Sequence, residues 1–171
     1  MALDNPLWRY ALALYARPGV EQCALRLQDQ GAVVNWLLLA CWLGQRQVPL
    51  TAARCAVAED DWQAGVVSPL RHLRLQLRAR RQERPEVEAC YRHLKQAELA
   101  AEQIELMQLW QASRSWPAEP GTEGAAQVRA NLDRYARWRA LSLSPVDLET
   151  LSAAAAGLSP PAAELSSGGT Y

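Results

Sequence analysis

An all-α fold is expected: a single-domain bundle of about seven to eight helices around a central apolar helix, with a long antiparallel helical arm pair. Three observations lead there. Gly31 to Gly44 reads GAVVNWLLLACWLG, twelve residues between two glycines, of which only Asn35 is clearly polar. A helix over Val33–Leu43 is then apolar on every side and has to be enclosed by other elements. Elsewhere apolar residues recur at spacings of three and four, while alternating patterns are absent and β-branched runs are short.

Each element follows from its own signals. Asn5-Pro6 is a helix start, with Asn as N-cap and Pro at the first helical position. The first helix reaches about Ala16, with Leu7, Trp8, Ala11, Leu14 and Tyr15 on one face. Pro18-Gly19 breaks the chain. A second helix covers Val20 to Gln30 with Val20, Cys23, Ala24 and Leu27 inward, and Gly31 caps its end. The core helix follows and Gly44 ends it. At about 16 Å it is too short for a membrane span, which needs roughly twenty apolar residues.

Thr51 is the N-cap of a fourth helix to about Ala58, and Asp60 or Asp61 caps the segment beginning near Trp62. Ser68-Pro69 either kinks one long helix or starts a new one. Val66, Leu70, Leu73 and Leu77 continue its apolar line, and Arg84-Pro85 ends it. The longest helix spans Pro85 to Ser113, with a near-heptad seam at Val87, Tyr91, Leu94, Ala97, Ala101 and Ile104 that only Gln108 breaks. A short turn makes it antiparallel to the preceding arm. Trp116 to Gly124 is a loop. A seventh helix over Ala125–Leu141 turns Val128, Leu132, Tyr135, Ala136 and Arg139 to one side, and Ser144-Pro145 opens a short last helix to about Ala155. Residues 1–156 are expected to form the helical domain and 157–171, GLSPPAAELSSGGTY, a disordered tail.

Composition limits the function classes. Half the residues are hydrophobic, and formal net charge is zero, so no global field favours nucleic acid or an anionic membrane. Arg outnumbers Lys seventeen to one and seven Trp stand against no Phe, a bias that a GC-rich genome produces without any functional cause. Cys23, Cys41, Cys55 and Cys90 are widely spaced without a CxxC and read as buried reduced thiols. The opening MALDNPLW has no basic region followed by an apolar run, so no signal peptide is expected and the location is cytoplasmic.

Four blocks in order, NPLWRYALALYARPGV (5–20), VNWLLLACWLG (34–44), SPLRHLR (68–74) and AELAAEQIELMQL (97–109), resemble a proteobacterial family known as domain of unknown function 2390. The resemblance covers residues 5 to about 140. It implies a bacterial, helical, soluble protein and brings no activity, cofactor or catalytic residue.

Arg71, Arg74, Arg78 and Arg81, spaced three, four and three, share one helical face, with Arg80 and Arg84 nearby. Such a ridge suits phosphates of nucleic acid, a nucleotide or a lipid headgroup. The plainer reading is a solvated face, partly neutralised by the neighbouring helix: a turn near Arg84 puts Arg71 near Glu98, and Arg78 and Arg81 near Glu86 and Glu88. Long arginines are not readily buried without partners. The ridge is therefore expected to reach solvent, and charge reversal at Arg74 and Arg78 to leave the fold intact.

Glu98, Glu102 and Glu105 form an acidic ladder. Carboxylate metal sites in bundles need partner Glu and Glu-x-x-His motifs, and no His stands at that spacing, so neither metal nor cofactor is expected. Asn35 is expected to be a cap or a satisfied buried hydrogen bond. Alternatively it is the polar contact of a pocket between the first and core helices, with Trp8 and Trp42 and an apolar wall of Leu38 and Leu39.

The preferred function is a non-enzymatic cytosolic protein that binds a macromolecular partner: a protein, or a nucleic acid or phosphate-bearing ligand gripped by Arg71, Arg74, Arg78 and Arg81. The second is a bundle holding a small apolar ligand in a Trp-lined pocket at Trp8, Asn35 and Trp42. An enzyme assembled from scattered residues ranks third. A pocket on the order of a few hundred Å³ with convergent polar groups favours the second; a closed core with an exposed apolar or basic patch favours the first.

Overall fold

The computed structural model describes residues 3–119, 121 and 124–158. They form eight α-helices and no strand: α1 Pro6–Tyr15, α2 Val20–Asp29, α3 Val34–Gln45, α4 Ala52–Ala58, α5 Ser68–Arg80, α6 Glu88–Ser113, α7 Gly124–Trp138 and α8 Pro145–Ala156. The stretch expected to be a tail lies, from residue 159 on, outside the described residues.

Helix α3 is the axis of the bundle. All its residues from Asn35 to Gly44 are buried, and α1, α2, α6, α7 and α8 pack around it, α7 most extensively. Gly44 does not end the helix, which runs on to Gln45. A Cβ at Gly44 would lie 2.6 Å from the Val128 Cα, so this glycine is where the backbones of α3 and α7 touch. Gly31 does serve as the cap of α2, with φ of 98°. In α1, Asn5 Oδ1 accepts from Trp8 N–H at 3.0 Å. The buried face is Leu7, Tyr10, Ala11 and Leu14, whereas Trp8 and Tyr15 are only half-buried.

Polar side chains on α7 hold the segments flanking α3. Asn131, fully buried, accepts from Leu50 N–H at 2.8 Å and from Gln127 Nε2 at 2.9 Å, and its Nδ2 donates to Val48 O at 2.9 Å. Tyr135 Oη accepts from Val33 N–H at 2.9 Å. These bonds satisfy backbone groups that the irregular segments at either end of α3 would otherwise bury unpaired.

Ser68-Pro69 resolves into one bent helix. A π-helical turn at Gln63–Val67 runs directly into α5, and Ser68 N–H donates to Gln63 O. Pro69 has no N–H to give Gly65, and the wider turn absorbs the missing bond. Asp60 Oδ1 accepts from Trp62 N–H at 3.0 Å and starts the segment. A 3-10 turn at Pro85–Val87 reverses the chain into α6, which lies antiparallel to α5.

The register of this arm differs from the expected one. Helix α5 has no fully buried residue, Leu73 is exposed, and Arg71, Arg74 and Leu77 turn toward α6. On α6 Ala97 is exposed, while Glu98 is buried in the seam. Cys90 is also exposed, because the arm has only one partner helix at that height; Cys23, Cys41 and Cys55 are buried free thiols. Among the described residues no helix is long and apolar enough to cross a membrane.

Candidate ligand cavity and its acidic wall

The four arginines do not share one environment. Arg71 and Arg74 have side chains only 20% and 17% exposed. Arg71 Nε donates to Glu98 Oε1 at 2.8 Å and its Nη2 to Glu102 Oε1 at 2.5 Å, while Arg74 grips both oxygens of Glu98. Arg81 pairs with Glu88 at 2.6 Å and packs its guanidinium over the Tyr91 ring, 4.4 Å from the centroid. Arg84, not Arg78, takes Glu86. Arg78 is exposed and has no ion pair among the described residues. The inner half of the ridge is therefore internal structure rather than a solvated face, since two buried-side carboxylates supply the partners that inward arginines require.

The acidic ladder turns the same way. Burial pulls the Glu98 carboxyl upward, but hydrogen bonds from Arg74 and Arg71 outweigh it and hold the group below the usual carboxylate range. Glu102 goes the other way: burial raises it, and the charge of Arg71 offsets this only in part. Glu105, 3% exposed, is raised to about 7, first by burial and further by the charges of Glu102 and Asp60; the hydrogen bond from Asn35 and the charge of Arg71 pull against that. Glu105 thus changes charge near neutral pH, a property common at functional sites.

Asn35 explains itself at this point. Its Nδ2 donates to Glu105 Oε2 at 2.7 Å and to Glu102 O at 3.0 Å, so the polar residue in the first turn of the core helix positions the carboxyl on α6. From the other side, the Gln63 side-chain amide, turned with its nitrogen toward Glu105, lies 3.2 Å from both carboxylate oxygens.

Glu105 forms part of the wall of a cavity of about 310 Å³. The α2–α3 junction contributes Ala32, Val33 and Trp36; the turn after α4 contributes Glu59 and Asp60; the π-helical segment contributes Gln63 and Ala64. Arg71, Gln108, Leu109 and Arg139 close it from α5, α6 and the end of α7. Behind Trp36 the Tyr135 ring stacks at 6.1 Å and 9°, and Trp138 lies tilted at 5.0 Å, which fixes the indole in place. Arg139 is engaged by Glu59 at 3.3 Å. Gln108, the residue that breaks the apolar seam of α6, has its Oε1 buried with no donor among the described residues.

Trp8, Asn35 and Trp42 are not brought together around this space. Trp8 is half-buried beside the core, and Trp42 is 2% exposed with the Arg46 guanidinium 4.3 Å from its ring centroid. Asn35 stands behind Glu105 instead. Sequence reasoning missed Trp36, Gln108 and Asp60 as cavity residues. Gln108 carried a signal in its polar side chain on an otherwise apolar seam; Trp36 carried none, being one of several tryptophans in core positions. Among the described residues no group of three or more His, Cys, Asp or Glu is placed to hold a metal ion.

Comparison with curated proteins and with solved structures finds no match. The profile of one family, described as protein of unknown function (DUF2390), matches residues 6–109, a stretch that spans α1 to α6 and carries most of the cavity wall. The chain belongs to that family.

Proposed function

We propose that the protein is a helical binding bundle whose function is to hold a small molecule in the cavity between α3, the π-helical segment and α6. The single observation that carries this reading is the cavity itself: about 310 Å³, with an aromatic wall at Trp36 and the polar groups of Glu105, Gln63 and Gln108 converging on it. That volume lies at the lower end of small-ligand sites. Engagement of Arg71 and Arg74 by Glu98 and Glu102 supports the same choice, because it removes half of the basic face that a phosphate-bearing partner would need. A cytoplasmic setting belongs to this reading, supported by free buried thiols at Cys23, Cys41 and Cys55.

The test is a fragment screen read by ¹⁹F NMR on protein labelled with 5-fluorotryptophan. The Trp36 resonance is assigned by its loss in Trp36→Phe. Saturable shifts confined to Trp36 and its neighbour Trp138 support the cavity as the binding place; hits that move Trp8 or Trp42 instead overturn it.

A second reading, binding of a protein partner along the arm, is favoured by one observation. Leu73 and Leu75 on α5 and Leu99 on α6 are exposed, as is Arg78, which has no ion pair among the described residues. A partner captured by the wild-type chain and retained by a Leu73→Glu, Leu99→Glu double variant would remove this reading.

A further inference from the structure

We infer that the ligand of this cavity is a small organic cation, a protonated amine on a compact apolar body, received by the carboxylates of Glu105 and Asp60. The inference rests on the small-molecule reading and specifies the chemistry of the same site. Charge balance is the first ground. Of the charged groups around the cavity, Arg71 is neutralised by Glu98 and Glu102, and Arg139 by Glu59. Asp60 and Glu105 are left without an ion pair among the described residues. An incoming anion meets no free cation there, whereas an incoming cation meets two carboxyl groups.

Hydrogen bonding is the second ground. The buried Gln108 Oε1 lacks a donor, and Glu105 and Gln108 stand three residues apart on one face of α6. An ammonium group brings three donors and no acceptor, which complements the two carboxyl groups, Glu105 and Asp60, that have no ion pair among the described residues. The Trp36 ring adds an attractive surface for positive charge, and Ala32, Val33, Ala58 and Leu109 suit an apolar body.

Protonation couples to this. Burial, with Glu102 and Asp60 nearby, keeps the Glu105 proton on up to about 7, while Asn35 and Arg71 act to release it. The other charged groups at the site, Glu59 and Arg139, face each other. A bound cation favours the carboxylate, so binding expels a proton below neutrality and tightens as the pH rises.

The experiment is isothermal titration of the full chain with three matched probes: 2-phenylethylamine, the anionic 3-phenylpropionate and the neutral 2-phenylethanol. Each is run at about pH 6 and about pH 8, in buffers of low and high ionisation heat. The amine should bind at least about tenfold more tightly than the other two. Its affinity should rise about tenfold between the two pH values, with buffer-dependent heat showing proton release at the lower one. Glu105→Gln should abolish both the amine preference and the pH dependence. Asp60→Asn, which keeps an acceptor for Trp62 N–H, should weaken the amine without touching the neutral probe. Equal binding of all three probes, or a preference for the anion, overturns the cation while leaving the cavity as a ligand site. No saturable binding by any of the three overturns both.

Discussion

Asn35 Nδ2 lies 2.7 Å from Glu105 Oε2 and ties the buried central helix to the acidic face of α6. The pair also decides how stability varies with pH. The native state keeps the Glu105 proton up to about 7, the unfolded chain only to about 4.5. Glu105 therefore contributes stability that is complete below the lower value and gone above the higher one. The loss is on the order of 3 kcal/mol. Glu98 and Asp147, held low, act oppositely in acid, so the variant comparison isolates the effect. Relative to its difference from the wild type in urea melts at about pH 4, Glu105→Gln should gain about 3 kcal/mol at about pH 8. A pH-independent difference would show that Glu105 is solvated.

Arg74 and Arg78 should respond very differently to the same change. Arg74→Glu sets a third carboxylate against Glu98 and Glu102 and leaves the buried Glu98 with Arg71 alone, a loss of about 3–5 kcal/mol. Arg78→Glu removes no ion pair and should shift the melt by less than about 0.5 kcal/mol. Equal small shifts for both would return the whole ridge to solvent.

Gly44 should not tolerate a methyl group. Gly44→Ala places Cβ 2.6 Å from Val128 backbone, which cannot swing away as a flexible side chain does. The cost expected is about 3 kcal/mol or more, measured by chemical denaturation. A gain in stability from better helix propensity would mean that α3 and α7 do not touch there.

Much of the fold was legible because local signals and burial agreed. The Asn5, Thr51 and Ser144 caps accept the hydrogen bonds their positions promise, at Trp8, Arg54 and Asp147 N–H. The apolar run of α3 is enclosed throughout. Reading failed where a side chain's partner comes from a distant element. Gly44 reads as a helix stop until α7 is known to press on it. Leu73 and Ala97 read as seam because they are apolar, yet Arg71, Arg74 and Glu98 take the inward positions by neutralising one another. The Arg71–Glu98 pairing itself was visible from the short turn, but not that it faces inward. The cavity was illegible, since it depends on how Trp36, Asp60 and Gln108 converge from three separate elements.

Asn131 also escaped sequence reading, and its removal should be costly. Asn131→Ala leaves Leu50 N–H and Val48 O buried without partners. At about 1–3 kcal/mol for each orphaned group, the urea midpoint should fall sharply. A loss under about 1 kcal/mol would show that water replaces the side chain.

The claim that the inner face of α6 is the wall of a site rather than a solvated ladder is read most directly at one atom. Protein labelled with ¹³C at glutamate side chains gives a carboxyl resonance for Glu105, assigned by its absence in Glu105→Gln and followed as pH is raised. The structure predicts a midpoint near 7, moved downward by saturating 2-phenylethylamine. A midpoint at the ordinary glutamate value of about 4.3, indifferent to the amine, would contradict it.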